Sequence, residues 1–381
     1  MLAPLLQQVG RTWVRFRNMR LSYFGGCDYY RLSSHPAVVR ALHDGLRQFG
    51  LSVAASRKTT GNHWLYEALE KQLAAFFDTE SAVLLSNGYV TNMVAAQALA
   101  GAFSHVLIDS KAHSSLKDAA PFFEGSMVTF AHRDTEDLAR KIRSCGQRAK
   151  PILLTDGMFA HDGSIAPLRD YLAILPRKGM ILVDDAHGAG TVGRTGQGTP
   201  EQEGVPRDRI IQTVALSKAF GVYGGAILCA NGLAKKIFTG SSLFNGNTPL
   251  PLPLAWAVLQ AVAVLKSDRN LRRRLMQNTD GVKTALRAAN LPVQDTPSPI
   301  IQVVPAGWRK SAMLKRELLA AEVYPTLIHY AGGPGQGYFR FAISSEHTQR
   351  QLNRLVGVLV RSARGASAQG KFMGVAYVSK T

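Results

Sequence analysis

The sequence predicts an α/β fold: a larger domain on a mostly parallel seven-stranded sheet, followed by a smaller α+β C-terminal domain. Two patterns carry this. Seven short apolar runs, Ala82–Leu85, His105–Ile108, Met127–Phe130, Ile152–Thr155, Met180–Val183, Ile210–Ala215 and Gly225–Cys229, are nearly continuous rather than alternating. Strands covered on both faces look like this. Between several of them lie amphipathic segments, Trp64–Phe77, Thr135–Ser144 and Pro167–Leu175, which suit the crossovers a parallel sheet needs. A long helical stretch then runs from Pro251 to about Asn290. After it the pattern changes to strand Ile300–Val304, helix Ser311–Ala321, strand Tyr338–Ile343 and helix Thr348–Arg361.

The expected organisation is an N-terminal segment (1–50), a large domain (51–250), a connecting helix (251–290), a small domain (291–365) and a poorly ordered Ser/Ala/Gly-rich tail (366–381). The acid-free start of the chain, with Arg11, Arg15, Arg17 and Arg20, is expected to be helical, a targeting segment being the alternative. Among 381 residues, 45 Lys+Arg face 26 Asp+Glu, a formal charge of +19. An anionic substrate or an acidic carrier protein suits that sign. Nucleic acid is disfavoured, because no Lys/Arg run is interleaved with aromatics. At 46% hydrophobic and 19% charged, the chain is not a disordered one. Cys27, Cys145 and Cys229 are far apart and form no CxxC, so neither a disulfide framework nor a metal site is expected, and the compartment reads as reducing and cytoplasmic. The longest apolar stretch, Leu252–Leu265, is too short for a membrane span.

In an open α/β sheet, ligands bind beyond the carboxyl ends of the strands. Three predicted strand ends present reactive groups: Asp109 to His113, Asp184-Asp185-Ala-His187, and Ser217-Lys218 followed by Gly221, Gly224 and Gly225. Alone, Lys218 reads as a salt-bridge partner. Among small residues, with Asp184 and His187 nearby, it reads as a Schiff-base lysine, with the aspartate holding a pyridinium nitrogen protonated. The stretch Gly188-Ala-Gly190-Thr-Val-Gly193 matches GxGxxG but continues as a loop, which argues against nicotinamide binding.

Five motifs occur in order: Gly61-Asn-His-Trp-Leu-Tyr66-Glu-Ala-Leu-Glu70, Ser86-Asn87-Gly88-Tyr89-Val-Thr-Asn92, His113-Ser-Ser, Asp184-Asp-Ala-His187-Gly and Ser217-Lys218-Ala-Phe-Gly221. Together they resemble the α-oxoamine synthases, pyridoxal 5'-phosphate enzymes with an aspartate-aminotransferase-like (fold type I) large domain. The resemblance runs from about Tyr29 to about Val360. It implies that Lys218 carries the cofactor and moves the Cα proton, Asp184 pairs with the ring nitrogen, His187 binds the ring hydroxyl and His113 stacks on the ring. It also implies that Asn87, Gly88 and Tyr89 meet the cofactor phosphate at a helix start, with Ser217 and Thr248 as further hydroxyls. Arg340 matches the arginine that grips the substrate carboxylate, and Ser56 and Tyr66 are expected on the substrate side. By the same resemblance, the reaction is a decarboxylative condensation of a small L-amino acid with an acyl-CoA or acyl-carrier-protein thioester, in a homodimer. L-alanine with a pimeloyl thioester is the leading pair; an aminotransferase or lyase, or a degenerate scaffold, is the alternative.

The chain departs from the family pattern at several places. Ala215 replaces a Thr three residues before the lysine, Ala160 replaces a Ser, and Tyr66 a His. Phe244–Pro249 differs from a Ser/Thr-rich loop, and His329–Gly337 lacks a Pro-Pro-Thr segment. Each lost hydroxyl removes about 1 kcal/mol of hydrogen bonding.

Overall fold

The computed structural model describes residues 4–329 and 334–367, with side chains as far as 363. Two compact units are present. One comprises the chain up to Arg31, Ala160–Ser164 and the chain from Arg269 onward; the other comprises Leu32–Phe159 and Ile165–Asp268.

The first unit opens on an antiparallel meander, β1 (Gln7–Gly10), β2 (Trp13–Phe16) and β3 (Met19–Ser22). This corrects the expected N-terminal helix. Phe16 pairs with Met19 across a two-residue turn, and Arg17 and Asn18 both have positive φ, at 46° and 52°. Such a turn matches the twist of a hairpin. Val14 and Leu21, register partners, are buried, while Arg15 and Arg20 pair on the exposed side. Arg20 lies over the Trp13 ring at 4.6 Å. The arginines therefore mark the outer face of a sheet.

The second unit holds the seven-stranded sheet: β4 (Ser81–Leu85), β5 (His105–Asp109), β6 (Ser126–Phe130), β7 (Pro151–Asp156), β8 (Met180–Asp184), β9 (Ile210–Ala215) and β10 (Gly225–Cys229). Their order is β4-β10-β9-β8-β7-β5-β6, and β10 runs antiparallel to both of its neighbours. All seven lie where the apolar runs predict. Helices of this unit are α1 (Pro36–Phe49), α2 (Trp64–Phe77), α3 (Gly88–Gln97), α4 (Ser114–Ala119), α5 (Thr135–Ser144), α6 (Leu168–Ile174), α7 (Thr199–Gln202), α8 (Asn231–Gly240), α9 (Ser242–Asn245) and α10 (Leu252–Ser267). Residues alternate between two cores. Val106, Ile108, Ile152, Leu154 and Leu182 pack with Val94, Ala95 and Leu116 of α3 and α4. Leu107, Leu153, Ile181 and Val183 pack with Leu138, Leu168 and Tyr171 of α5 and α6. Both faces are apolar, so the strands read as continuous runs.

The single helix expected over 251–290 is two: α10 ends at Ser267 and α11 spans Arg269–Ala288. Asp268 leaves helical geometry at ψ 82°. The two halves also belong to different units. The first unit continues with β11 (Ile300–Val303), α12 (Trp308–Ala320), β12 (Leu327–Ile328), β13 (Tyr338–Ala342) and α13 (Gln349–Ser367), its sheet ordered β11-β13-β12. Phe24, Ile301, Leu318, Phe339, Phe341, Leu355 and Val358 share its core. The expected tail begins inside α13 and then lies outside the described residues.

Candidate active site

Strands β5, β7, β8 and β9 are parallel, so their carboxyl ends share one edge of the sheet. Three of them end in aspartate: Asp109, Asp156 and Asp184. Asp184 is buried. Its Oδ2 accepts hydrogen bonds from Asn92 Nδ2 at 2.7 Å and Ser115 Oγ at 3.1 Å, and its Oδ1 from the Ala186 amide at 3.1 Å. The neighbouring Asp185 turns away. It accepts from the Thr199 amide and hydroxyl and from Gln212 Nε2, and so braces the loop that follows. Gly157 and Gly188 flank it, and a Cβ at either would lie 2.3 or 2.1 Å from Asp185 Oδ1. His187 is buried beside this loop.

Lys218 stands in the turn after β9, part-buried, held by Leu216 N–H to Gly224 O at 3.0 Å and Val222 N–H to Leu216 O at 3.1 Å. Gly221 must be glycine there: its φ is +68° and a Cβ would lie 2.3 Å from the Ser33 amide nitrogen. The Lys218 charge acts on both His113 and Asp156. His113 caps α4, its Nδ1 accepting from the Ser115 amide at 3.2 Å and its own amide donating to Asp156 Oδ2 at 2.8 Å. Burial lowers the His113 pKa, and Asp184 opposes that. Burial, then the Asp184 charge, raises the Asp156 carboxyl well above its ordinary value. Lys218, Asp184 and His113 are thus brought into electrostatic reach of one another.

The start of α3 forms the neighbouring cradle. Asn87 caps it, its Oδ1 accepting from the amides of Tyr89 at 3.0 Å and Val90 at 3.1 Å. The Tyr89 amide expected for a phosphate is therefore engaged within the chain, which leaves Gly88 as the first amide of the helix. Gly88 rests on β9: a Cβ there would lie 2.6 Å from Ala215 Cβ. The Tyr89 hydroxyl donates to Asp118, and its ring meets His113 edge-on at 6.1 Å. Further polar groups gather nearby. Asn87 Nδ2 donates to the Tyr223 hydroxyl at 3.3 Å, and Asn247 Nδ2 to Ser86 Oγ at 3.1 Å. Ser217 and Thr248 are exposed, and Ser217 lies in the turn beyond β9 rather than on the strand.

Tyr66 is corrected. It is fully buried, its hydroxyl donates to Leu250 O at 2.7 Å, and Arg57 lies over its ring at 4.9 Å while bridging Glu70. That makes it part of the packing of α2. Ser56, part-buried, accepts the Lys58 amide at 3.2 Å. Arg340 lies on β13 in the other unit, where Nη1 donates to Ala160 O at 3.1 Å and Nη2 approaches Cys27 Sγ at 3.7 Å. Part of the loop 329–337 lies outside the described residues. Asn92 stands in the Ser86–Asn92 motif with no role that the sequence assigns. An amide among Thr91, Val94, Ala95 and Ala96, all buried, was the available signal.

The donor set fits pyridoxal phosphate. Asp184 is buried with neutral donors only, so its charge is left to complement a cationic ring nitrogen. A primary amine and a helix start lie at the same sheet edge. Comparison with known proteins agrees. Residues 25–359 match the aminotransferase class I and II family. The chain is 32% identical over 346 residues to 8-amino-7-oxononanoate synthase of Thioalkalivibrio sulfidiphilus, covering 90% of this chain and 88% of that one. It is 31% identical over 331 residues to 8-amino-7-oxononanoate synthase 2 of Bacillus subtilis, covering 86% and 85%. Among solved structures, serine palmitoyltransferase of Sphingomonas wittichii superimposes with a TM-score of 0.88 at 24% identity, covering 95% of this chain and 92% of that one, a likeness of fold. The fold and site thus define a pyridoxal-phosphate enzyme of fold type I. Within that class the chain belongs to the α-oxoamine synthase family and is a pyridoxal-phosphate-dependent acyltransferase.

Proposed function

We propose that this enzyme condenses L-alanine with a pimeloyl thioester, releasing CO2 and the thiol and giving 8-amino-7-oxononanoate. The observation that carries it is the similarity to the two synthases of that name across nearly the whole chain. Bound pyridoxal phosphate supplies an electron sink for the amino-acid Cα. Asp184, a buried acceptor, holds the positive charge of the ring nitrogen. His113 would face the ring, and His187 would hold the ring hydroxyl. The Gly88 amide and the rim of Asn87 and Ser86 hold the phosphate, with Ala215 contributing no hydroxyl. Arg340 binds the amino-acid carboxylate as a fork. Lys218 would hold the cofactor through its amine and would move the proton at the amino-acid Cα. The working form is a cytoplasmic homodimer with acyl-CoA or an acyl-carrier protein as acyl donor. Among the described residues no helix is long and apolar enough to cross a membrane.

The test is product analysis by mass spectrometry with pyridoxal phosphate, pimeloyl-CoA or pimeloyl-carrier protein, and L-alanine, glycine or L-serine in parallel. The expected product forms with alanine and is lost in Lys218→Ala. Borohydride should fix the cofactor's mass on the native chain and not on that variant. A product from serine or glycine alone would overturn the alanine assignment. Absence of any bound cofactor would favour a scaffold.

A further inference from the structure

Beneath the carboxyl ends of β8 and β9 lies a chain of hydrogen bonds whose direction is fixed by chemistry. An ionised Asp184 only accepts, so the atom of Asn92 facing it at 2.7 Å is the amide nitrogen. The amide oxygen then faces Thr213 Oγ1 at 2.6 Å, and that hydroxyl donates to it. The second hydrogen of Asn92 goes to Ser115 Oγ at 2.9 Å. Ser115 keeps its own hydrogen for Asp184 at 3.1 Å or His113 Nδ1 at 2.8 Å. Its backbone amide already donates to the same Nδ1, so that nitrogen is an acceptor and the imidazole proton sits on Nε2. Asn92, Ser115 and Thr213 are each at most 1% exposed. Water does not compete for these bonds.

We infer that Asn92 and Ser115 are positioning residues that orient the Asp184 carboxylate and fix the His113 ring. One buried relay then couples the group facing the cofactor's ring nitrogen to the group facing the ring. The inference rests on the assignment of Asp184 and His113 proposed above. The Asp184 carboxylate is therefore not set by its own strand alone, and His113 is tied to it through Ser115. Asn92 reaches Asp184 from α3, and Ser115 reaches it from α4.

The test is the dissociation constant, by absorbance titration of the chain freed of cofactor, for pyridoxal phosphate and for its analogue with carbon in place of the ring nitrogen. Asn92→Ala should weaken pyridoxal phosphate about tenfold and leave the analogue unchanged, since only the former offers the charge that Asp184 meets; Ser115→Ala, which also loosens His113, should weaken pyridoxal phosphate more than the analogue. Ser115→Thr should restore binding. Equal weakening of both ligands would reduce the two residues to packing and overturn the inference. If Asn92→Ala binds neither ligand because the fold is lost, the smaller Ser115→Ala and Ser115→Thr pair decides. If Asp184→Asn itself fails to separate the two ligands, the ring-nitrogen assignment falls and the inference falls with it.

Discussion

Asp184 and Asp185 are adjacent in sequence and opposite in use. Side chains alternate along a strand end, so one carboxylate meets Asn92 and Ser115 while the other meets Thr199 and Gln212. Burial raises the Asp185 pKa to about 7, against the pull of its hydrogen bonds. The folded chain therefore keeps a proton that the unfolded chain releases above its ordinary value of 3.8. Stability should fall as pH rises between those two values and level off beyond. Asp185→Asn fits the same partners, its oxygen accepting from the Thr199 amide and Gln212 and its nitrogen donating to the Thr199 hydroxyl. The variant should gain on the native chain by up to about 1.4 kcal/mol per pH unit across that window. Urea unfolding at the two ends of the window would show it; a constant difference would refute it.

Among the elements, α3 is the most constrained at its start. Gly88 lies against Ala215, and Gly225 lies against the Asn87 carbonyl, with a Cβ there 2.6 Å from it. Gly88→Ala should push α3 off β9, lower the thermal midpoint and weaken cofactor binding roughly tenfold or more, because the close neighbour is a strand that cannot yield. Gly281→Ala, mid-way along α11 with nothing within 4 Å of the new Cβ, should instead add about 1 kcal/mol. Thermal melts of the two variants compare the same substitution with opposite signs. Three residues of the Ser86–Asn92 motif thus act through geometry: a cap, a close approach and a buried amide.

For the whole molecule, the formal +19 is unevenly spread, most of it lying in the unit that carries Arg340. A polyanionic acyl carrier should feel this field strongly, and a small donor whose only charge is the pimeloyl carboxylate should feel it weakly. The KM for pimeloyl-CoA is therefore expected to rise several-fold between 0.05 and 0.5 M salt, roughly the range over which screening becomes strong. The KM for a pimeloyl thioester of N-acetylcysteamine should change much less. Steady-state kinetics at the two salt levels decide, and parallel behaviour of the two donors would remove charge as a factor.

The sequence alone determined the sheet, because strands buried on both faces must be apolar throughout, and it singled out Lys218, Asp184 and His187, because they stand at or just beyond strand ends. It misplaced the N-terminal arginines on a helix, since the alternation that defines β2 and β3 spans only four residues each. Tyr66 and the Tyr89 amide also escaped it, because their partners, Leu250 and Asn87 Oδ1, are a matter of distance and angle. Only the tertiary structure joined Asn92, Ser115 and Thr213 to Asp184. They come from a helix, a second helix and a strand, and a hydrogen bond between residues as far apart in sequence as Asn92 and Thr213 leaves no local pattern to read.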